Sequence, residues 1–321
     1  MFEQLKQIIE EHDSIVLFGH PAPDGDCYGS QIGLRDALRL NYPNKQVYAV
    51  GSGYRRFLHY LGEMDSIDDE IIKNSLAILL DGNDLGRMED ERVYNAKAWI
   101  KIDHHIDNHN FVEGVQVVNE DADSTCEMVA DMIKECNWEI NAHVADALFL
   151  GILTDTGRFQ YIDDFLKAFN DAAWLVEKGA NPKILNAILN ISQETNLAFK
   201  GYVYSNYQKS EGGTIYIVLP KTVLDRFGFS AAKSGSMVNL LSNIAGYPIW
   251  AFFSEEGEGK YHVEFRSNGP IVQPIAHKYG GGGHLLAAGV TIDYSEEFKN
   301  QLIAECDQLI AEYKKEMHKC S

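Results

Sequence analysis

Ser14-Ile-Val-Leu-Phe-Gly-His20-Pro-Ala-Pro-Asp24-Gly-Asp26 runs a stretch of apolar, β-prone residues straight into a histidine and two aspartates. The apolar run reads as a buried strand over 14–19, and 25–40, with Ile32, Leu34 and Leu38 among its apolar positions, reads as a helix. The same order, apolar run then carboxylate, recurs in Leu76-Ala-Ile-Leu-Leu-Asp81 and in Ala98-Trp-Ile-Lys-Ile-Asp103-His104-His105. Strands are therefore expected at 76–80 and 98–102, with others at 46–50 and 116–118, and helices at 124–136 and 142–153. Strands that are apolar along their whole length are buried on both faces. Alternating with helices, they predict an α/β fold with a parallel sheet in the first half.

In an open parallel sheet, ligands bind beyond the carboxyl ends of the strands. His20, Asp24 and Asp26, then Asp81, then Asp103-His104-His105 fall at three such ends, where a carboxylate has no packing role. Asp155, in Gly151-Ile-Leu-Thr-Asp155-Thr-Gly-Arg158-Phe, is a fourth polar cluster. Taken singly, Asp24 or Asp26 reads equally well as a helix N-cap, Asp155 as a helix-end residue, and His104 and His105 as surface or satisfied core histidines. Jointly they predict a metal centre. Carboxylates and imidazoles without thiolates suit hard to borderline divalent ions, and the imidazoles favour Mn²⁺ over Mg²⁺. Converging carboxylates repel without cations, and two divalent ions sharing a bridging carboxylate are a standard arrangement for phosphoryl hydrolysis.

The second half changes character. A polar helical stretch at 182–200 precedes strands at 214–219, 249–253 and 261–265, a hairpin turn at 255–260, and helices at 233–245, 271–278 and 296–316. This gives two domains, 1–188 and a smaller α/β domain at 206–321, joined by a linker at 189–205. Arg266 and Ser267 at a strand end offer a planar fork and a hydroxyl to a phosphate. The run Gly280-Gly281-Gly282-Gly283-His284 reads either as a flexible turn or as a loop whose backbone N–H groups approach an anion closely. Arg158 reads equally as a phosphate ligand or as a surface arginine.

The 321 residues carry a formal net charge of −19, which argues against sequence-independent binding of long nucleic acid but not against small anions beside bound cations. No apolar run approaches the length of a membrane span, and the N-terminal residues lack a secretory pattern. Five scattered cysteines without a CxxC pair read as reduced thiols, so a cytoplasmic location is expected. A homodimer is compatible with the sequence, though no feature demands one.

The Asp103-His104-His105 triplet, with the upstream His20-Pro-Ala-Pro-Asp24-Gly-Asp26 and the separate Asp81 and Asp155, resembles the DHH phosphoesterase superfamily. Gly280–His284 with Phe265-Arg266-Ser267 resembles its associated C-terminal substrate domain. Ala22 stands where that family often has Asn; no ligand position is lost. The resemblance implies an active site in a cleft between the domains. It also implies one metal on His20 and Asp24, another on Asp26, His104 and Asp155, and Asp81 bridging both. His105, with Arg158, would balance charge on the phosphate. Arg266, Ser267, Gly281, Gly282, Gly283 and His284 would hold a terminal phosphate or nucleotide. The length suits the oligoribonuclease and 3′-phosphoadenosine-5′-phosphate phosphatase group, acting on short oligoribonucleotides or dinucleotides with two divalent ions, most simply Mn²⁺. A linear or cyclic dinucleotide phosphodiesterase, and a metal-retaining nucleotide sensor without turnover, are the alternatives it leaves.

Overall fold

β1 (Ser14–Phe18) lies inside a five-stranded sheet with β2 (Gln46–Ala49), β3 (Leu76–Leu80), β4 (Ala98–Asp103) and β5 (Val115–Val118), in the order β2-β1-β3-β4-β5 and parallel throughout. A computed structural model describes residues 2–52, 60–82, 85–105, 114–162 and 164–320. It divides into two units, Met1–Ile191 and Ser192–Ser321.

In the first unit the continuous apolarity of the strands is used on both faces. Ile15, Leu17, Leu76, Ile78, Leu80, Ile100 and Ile102 join one core, while Val16, Phe18, Ala77 and Leu79 join the other. The first face is covered by α1 (Glu3–Glu10) and α2 (Gly25–Asn41). The second carries the short α3 (Asp69–Lys73) and two 3₁₀ turns, Leu85–Arg87 and Glu91–Asn95. α4 (Thr125–Glu135) and α5 (Ala142–Asp155) complete the first face, and α6 (Phe165–Glu177) and α7 (Pro182–Asn190) follow. α2 is buried along most of its length because it lies against α5 through small residues: a Cβ on Gly29 would stand 2.4 Å from the Ala147 carbonyl oxygen.

The strand order reverses between β1 and β3. β1 and β3 flank the switch point, where neighbouring connections leave in opposite directions and open a crevice at the strands' carboxyl ends. His20 and Asp81 follow those two strands, and His104 and His105 follow the next.

The second unit is a mixed six-stranded sheet, β10-β11-β9-β8-β7-β6, in which β7 (Thr214–Leu219) and β8 (Ile249–Gly257) are parallel and the other pairs antiparallel. β6 (Gln208–Lys209), β9 (Lys260–Ser267), β10 (Gly282–His284) and β11 (Ala287–Asp293) complete it. Much of the segment expected to link the domains is α8 (Glu194–Asn206), whose Phe199 and Val203 are buried in a core of this unit with Ile217, Trp250 and Phe252. α9 (Lys221–Phe227) was not foreseen. The helix expected over 233–245 is instead α10 (Ala231–Gly235) and a 3₁₀ turn, Val238–Leu241. Asn243, at φ 59°, turns the chain where a helix would have continued. α11 (Gln273–Lys278) and α12 (Glu296–Cys320) follow the expected positions, and α12 covers the sheet with Leu302, Cys306 and Ile310.

Gly151 in α5 faces α4 so closely that a Cβ would lie 2.2 Å from Cys126 Sγ and 2.8 Å from Asp26 Oδ1. Gly151→Ala is expected to cost about 1–3 kcal/mol in denaturant unfolding through overpacking, and to weaken divalent-metal binding by displacing Asp26.

Candidate active site

Each polar side chain of the site is placed by a local feature. Asp24 is the N-cap of α2: its Oδ1 accepts from the N–H groups of Asp26 and Cys27 at 2.9 and 3.1 Å. Asp26, one turn in, is fully buried against the start of α4, where the N–H groups of Thr125 and Cys126 donate to its two oxygens at 2.7 and 2.8 Å. Asp81 ends β3 in the left-handed region at φ 58°, a conformation uncommon for a residue other than glycine and tolerated best by Asp and Asn. Asp155 is the last residue of α5.

The three histidines share one arrangement. The Nδ1–H of His20 donates to the Pro21 carbonyl at 2.9 Å, that of His104 to the Ala122 carbonyl at 3.1 Å, and that of His105 to Asp103 Oδ1 at 2.8 Å. A carbonyl can only accept, so for His20 and His104 the Nδ1 proton is fixed and, once the ring is neutral, Nε2 holds the lone pair. His20 Nε2 lies 3.4 Å from Asp81 Oδ2. His104 Nε2 lies 3.2 Å from Asp155 Oδ2, 3.7 Å from Asp81 Oδ1 and 4.0 Å from Asp26 Oδ2. His105 Nδ1 is 3.5 Å from Asp81 Oδ1.

These contacts define the groups able to hold a cation: Asp26, His104 and Asp155 in one, Asp81, His104 and His105 in another. Asp81 and His104 each belong to two groups. A third group joins His20 and Asp81 to Cys27, which sequence reasoning missed. Burial pushes the Cys27 thiol up to about 11, so it stands there as a neutral thiol rather than a thiolate ligand. Asp24 is outside these groups. Its charge still reaches Asp155, where burial first and then Asp24 and Asp81 push the carboxyl up against the pull of His104.

The donors fit a divalent metal. Among the described residues His104 Nε2, Asp103 Oδ2, Glu127 Oε2 and Asn196 Oδ1 are buried without a hydrogen-bond partner, and three carboxylates ring His104 Nε2. That is a ligand shell turned toward a shared centre. A fourth cluster, Glu127, Asp131 and Asp171, shows the contrast. Lys167 Nζ sits among its carboxylates at 2.7, 2.8 and 2.8 Å, so an ammonium already supplies the positive charge.

Without that charge the site holds protons instead. Burial works against the charged imidazoles, but the surrounding carboxylates outweigh it and raise His104 to about 10 and His20 to about 12. Burial, then repulsion from Asp81 and Asp155, pushes Asp26 well above the carboxylate range. Asp81 goes the other way: burial would raise it, and the His20 contact with the nearby His105 and His104 charges holds it low.

A pocket of about 410 Å³ opens on this cluster, lined by His20, Asp81, Gly82, Gly86, Arg87 and His105. Arg87 was not foreseen in the sequence. Arg158 does not line this pocket; its Nη2 donates to Asn190 Oδ1 at 2.8 Å.

In the second unit, Arg266 on β9 and His284 on β10 are both in register with Ala287 on β11 between them. They therefore project from one face of the sheet, two strand spacings or about 10 Å apart, across a methyl group. Glu264 takes Arg266 Nη1 at 2.7 Å and His262 Nε2 at 2.9 Å. The alternation His262, Glu264, Arg266 on one strand face was the signal that could have found them. Ser267, next along the strand, is buried and donates its hydroxyl to the Pro270 carbonyl, so it does not stand beside the Arg266 fork as expected. Gly281 and Gly283 have a packing reason: a Cβ would lie 2.2 Å from the Gly289 carbonyl and 2.5 Å from that of Ala287. Gly282 is open.

Comparison with known proteins agrees with this geometry. Residues 14–152 match the model of the DHH family, N-terminal domain, and residues 213–312 that of the DHHA1 domain. A bifunctional oligoribonuclease and PAP phosphatase NrnA from Bacillus subtilis is 34% identical over 98% of this chain and 100% of its own length. This chain belongs to the DHH family of phosphoesterases. A protein of the same name from Mycoplasma genitalium is 36% identical over 93% of this chain and 94% of that one. A solved exopolyphosphatase-related protein from Bacteroides fragilis superposes with a TM-score of 0.82 at 26% identity, covering 98% of this chain and 96% of that one. The DHH chain described here is a metal-dependent hydrolase of phosphate esters. Among the described residues no helix is long and apolar enough to cross a membrane.

Two outcomes are expected. Asp81→Asn keeps the left-handed residue preference and removes one ligand charge, so Tm should hold while turnover falls more than about 100-fold, beyond the cost of losing an outer-shell partner. Metal binding should release protons near neutral pH, because imidazoles raised to about 10 and 12 must deprotonate to bind. Affinity should therefore keep rising with pH through neutrality toward about 10, where His104 loses its proton, as read by calorimetry in buffers of different ionisation heat.

Proposed function

We propose that this protein hydrolyses short oligoribonucleotides to mononucleotides and 3′-phosphoadenosine-5′-phosphate to AMP, using two divalent ions, with Mn²⁺ the best match to the donors. The observation that carries the reading is the set of fixed histidine tautomers around a shared Asp81, in a chain whose full-length relatives bear the oligoribonuclease and PAP phosphatase name.

His20, Asp26, Asp81, His104 and Asp155 would hold the metals, with Asp24 as α2 cap able to reach them through its free oxygen. The bound ions supply Lewis acidity and lower the pKa of water. The chain's own residues do the rest. Asp103 orients His105 by accepting from its Nδ1, and His105 lines the pocket where the phosphate would lie. Protonated, that ring would donate from Nε2–H to a phosphoryl oxygen. In the second unit Arg266, held by Glu264, and His284 flank the small Ala287. We read this as a cradle for a terminal phosphate or nucleotide, with open space beside Gly282. Gly281 and Gly283 serve by bringing β10 close to β11. A cytoplasmic site of action fits four buried free cysteines, Cys27, Cys126, Cys136 and Cys306.

A second reading has one specific observation in its favour. A cyclic-di-AMP phosphodiesterase GdpP from Geobacillus thermodenitrificans is 25% identical over 90% of this chain, though this covers 46% of that protein. Hydrolysis of pApA, longer RNA oligomers, 3′-phosphoadenosine-5′-phosphate and cyclic-di-AMP with Mn²⁺ separates the two. Mononucleotides from RNA a few residues long support the first reading; turnover confined to a cyclic dinucleotide supports the second; none at all overturns both. Arg266→Ala should lower kcat/KM for pApA about 10–100-fold while a generic aryl phosphate ester is little changed. Equal losses on both substrates would remove Arg266 from substrate binding.

A further inference from the structure

We propose that Arg87 is the phosphate clamp of the metal-bearing unit, binding non-bridging oxygens of the phosphoryl group undergoing hydrolysis. The proposal rests on the phosphoesterase reading and adds a residue that neither the motifs nor the comparisons assign.

Arg87 lines the pocket that His20, Asp81 and His105 also line, and among the described residues it is the one arginine or lysine to do so. It is exposed, and among the described residues no carboxylate pairs with its guanidinium. In a chain of net charge −19 that is unusual for an arginine beside an acidic cluster. Arg35, Arg39 and Arg92 are all engaged by aspartates. An unpaired guanidinium offers its fork of donors to an anion that is not part of the protein.

The backbone also carries Arg87 to the right place. It closes the 3₁₀ turn Leu85–Arg87, and the turn is anchored on its far side to the end of β1. The Glu89 N–H donates to the Gly19 carbonyl at 2.9 Å, directly before His20. The Glu89 carboxylate accepts from the N–H and hydroxyl of Ser52, both at 2.6 Å, tying the same turn to the chain beyond β2. Met88 is buried against Gly82, where a Cβ would lie 2.2 Å from its methyl group. The loop is thus fastened by its neighbours, and Arg87 is the residue left facing outward into the pocket.

A metal centre cancels charge on one side of a phosphoryl group. A planar, permanently charged fork on the pocket wall balances the oxygens the metals do not reach, which is the electrostatic part played by arginines in phosphoryl transfer. Lysine, a point charge on a flexible stem, would replace only part of this.

The test uses the full-length, Mn²⁺-loaded protein and its Arg87→Ala and Arg87→Lys variants. Metal stoichiometry and Tm are measured first and should match the parent, since Arg87 is outside the ligand groups. Inorganic phosphate binding is then measured by calorimetry. Arg87→Ala should bind phosphate about 10–100-fold more weakly, with Arg87→Lys intermediate, and kcat/KM for pApA should fall in the same order. Unchanged phosphate affinity in Arg87→Ala, no phosphate binding by the parent, or loss of metal from the variant would each overturn the proposal. If phosphate binding falls as expected while the parent leaves pApA intact, the clamp stands and the oligoribonuclease reading fails instead.

Discussion

The buried carboxylates Asp26, Asp81 and Asp103 and the half-buried Asp155 meet around His104 and His105, and their mutual repulsion is the constraint on which the first unit is built. Such a cluster is stable only if positive charge enters it or protons remain on it. The fold supplies part of the offset through backbone dipoles: the start of α4 gives two N–H groups to Asp26, and the start of α2 gives two to Asp24. The remainder is left to cations. The Glu127, Asp131 and Asp171 cluster in the same unit meets the same difficulty with Lys167, and is thereby closed to chemistry. The difference between a structural and a reactive acidic cluster here is whether the chain provides its own counter-charge.

This constraint explains the close packing around the site. α2 delivers Asp24 and Asp26 and must approach α5, which delivers Asp155; glycines at 29 and 151 allow that approach. The sheet delivers the other ligands at the ends of β1, β3 and β4, on either side of the reversal in strand order. The strained backbone at Asp81 belongs to the same design: the residue leaves β3 in a turn that carries its carboxylate back over the strand ends.

Much of this was legible in the sequence because a five-residue apolar run ending in a carboxylate is a strong, local signal. The strands at Leu76–Leu80 and Thr214–Leu219 lie where the pattern put them. What was not legible depended on tertiary context. β10 and β11 hide in glycines and alanines, which carry little strand preference. Asp24 as cap and Asp26 as buried ligand candidate are two residues apart and differ only in which helix start they meet. Cys27 reached the site because it lies on the buried face of α2, a matter of helix rotation. Ser267 was read with its neighbour Arg266, although period-two alternation sends adjacent side chains to opposite faces. Arg87 sits in a three-residue turn with no periodicity to announce it.

The candidate ligands are drawn from positions 20 to 155, and Asp26 is seated by N–H groups nearly a hundred residues further on. During synthesis, then, the nascent chain carries His20 and its aspartates out of the ribosome long before the last ligand exists. α5 ends with Asp155, so the group of Asp26, His104 and Asp155 forms only when that helix docks. That group is thereby completed late, and a chain stalled before α5 lacks that candidate site.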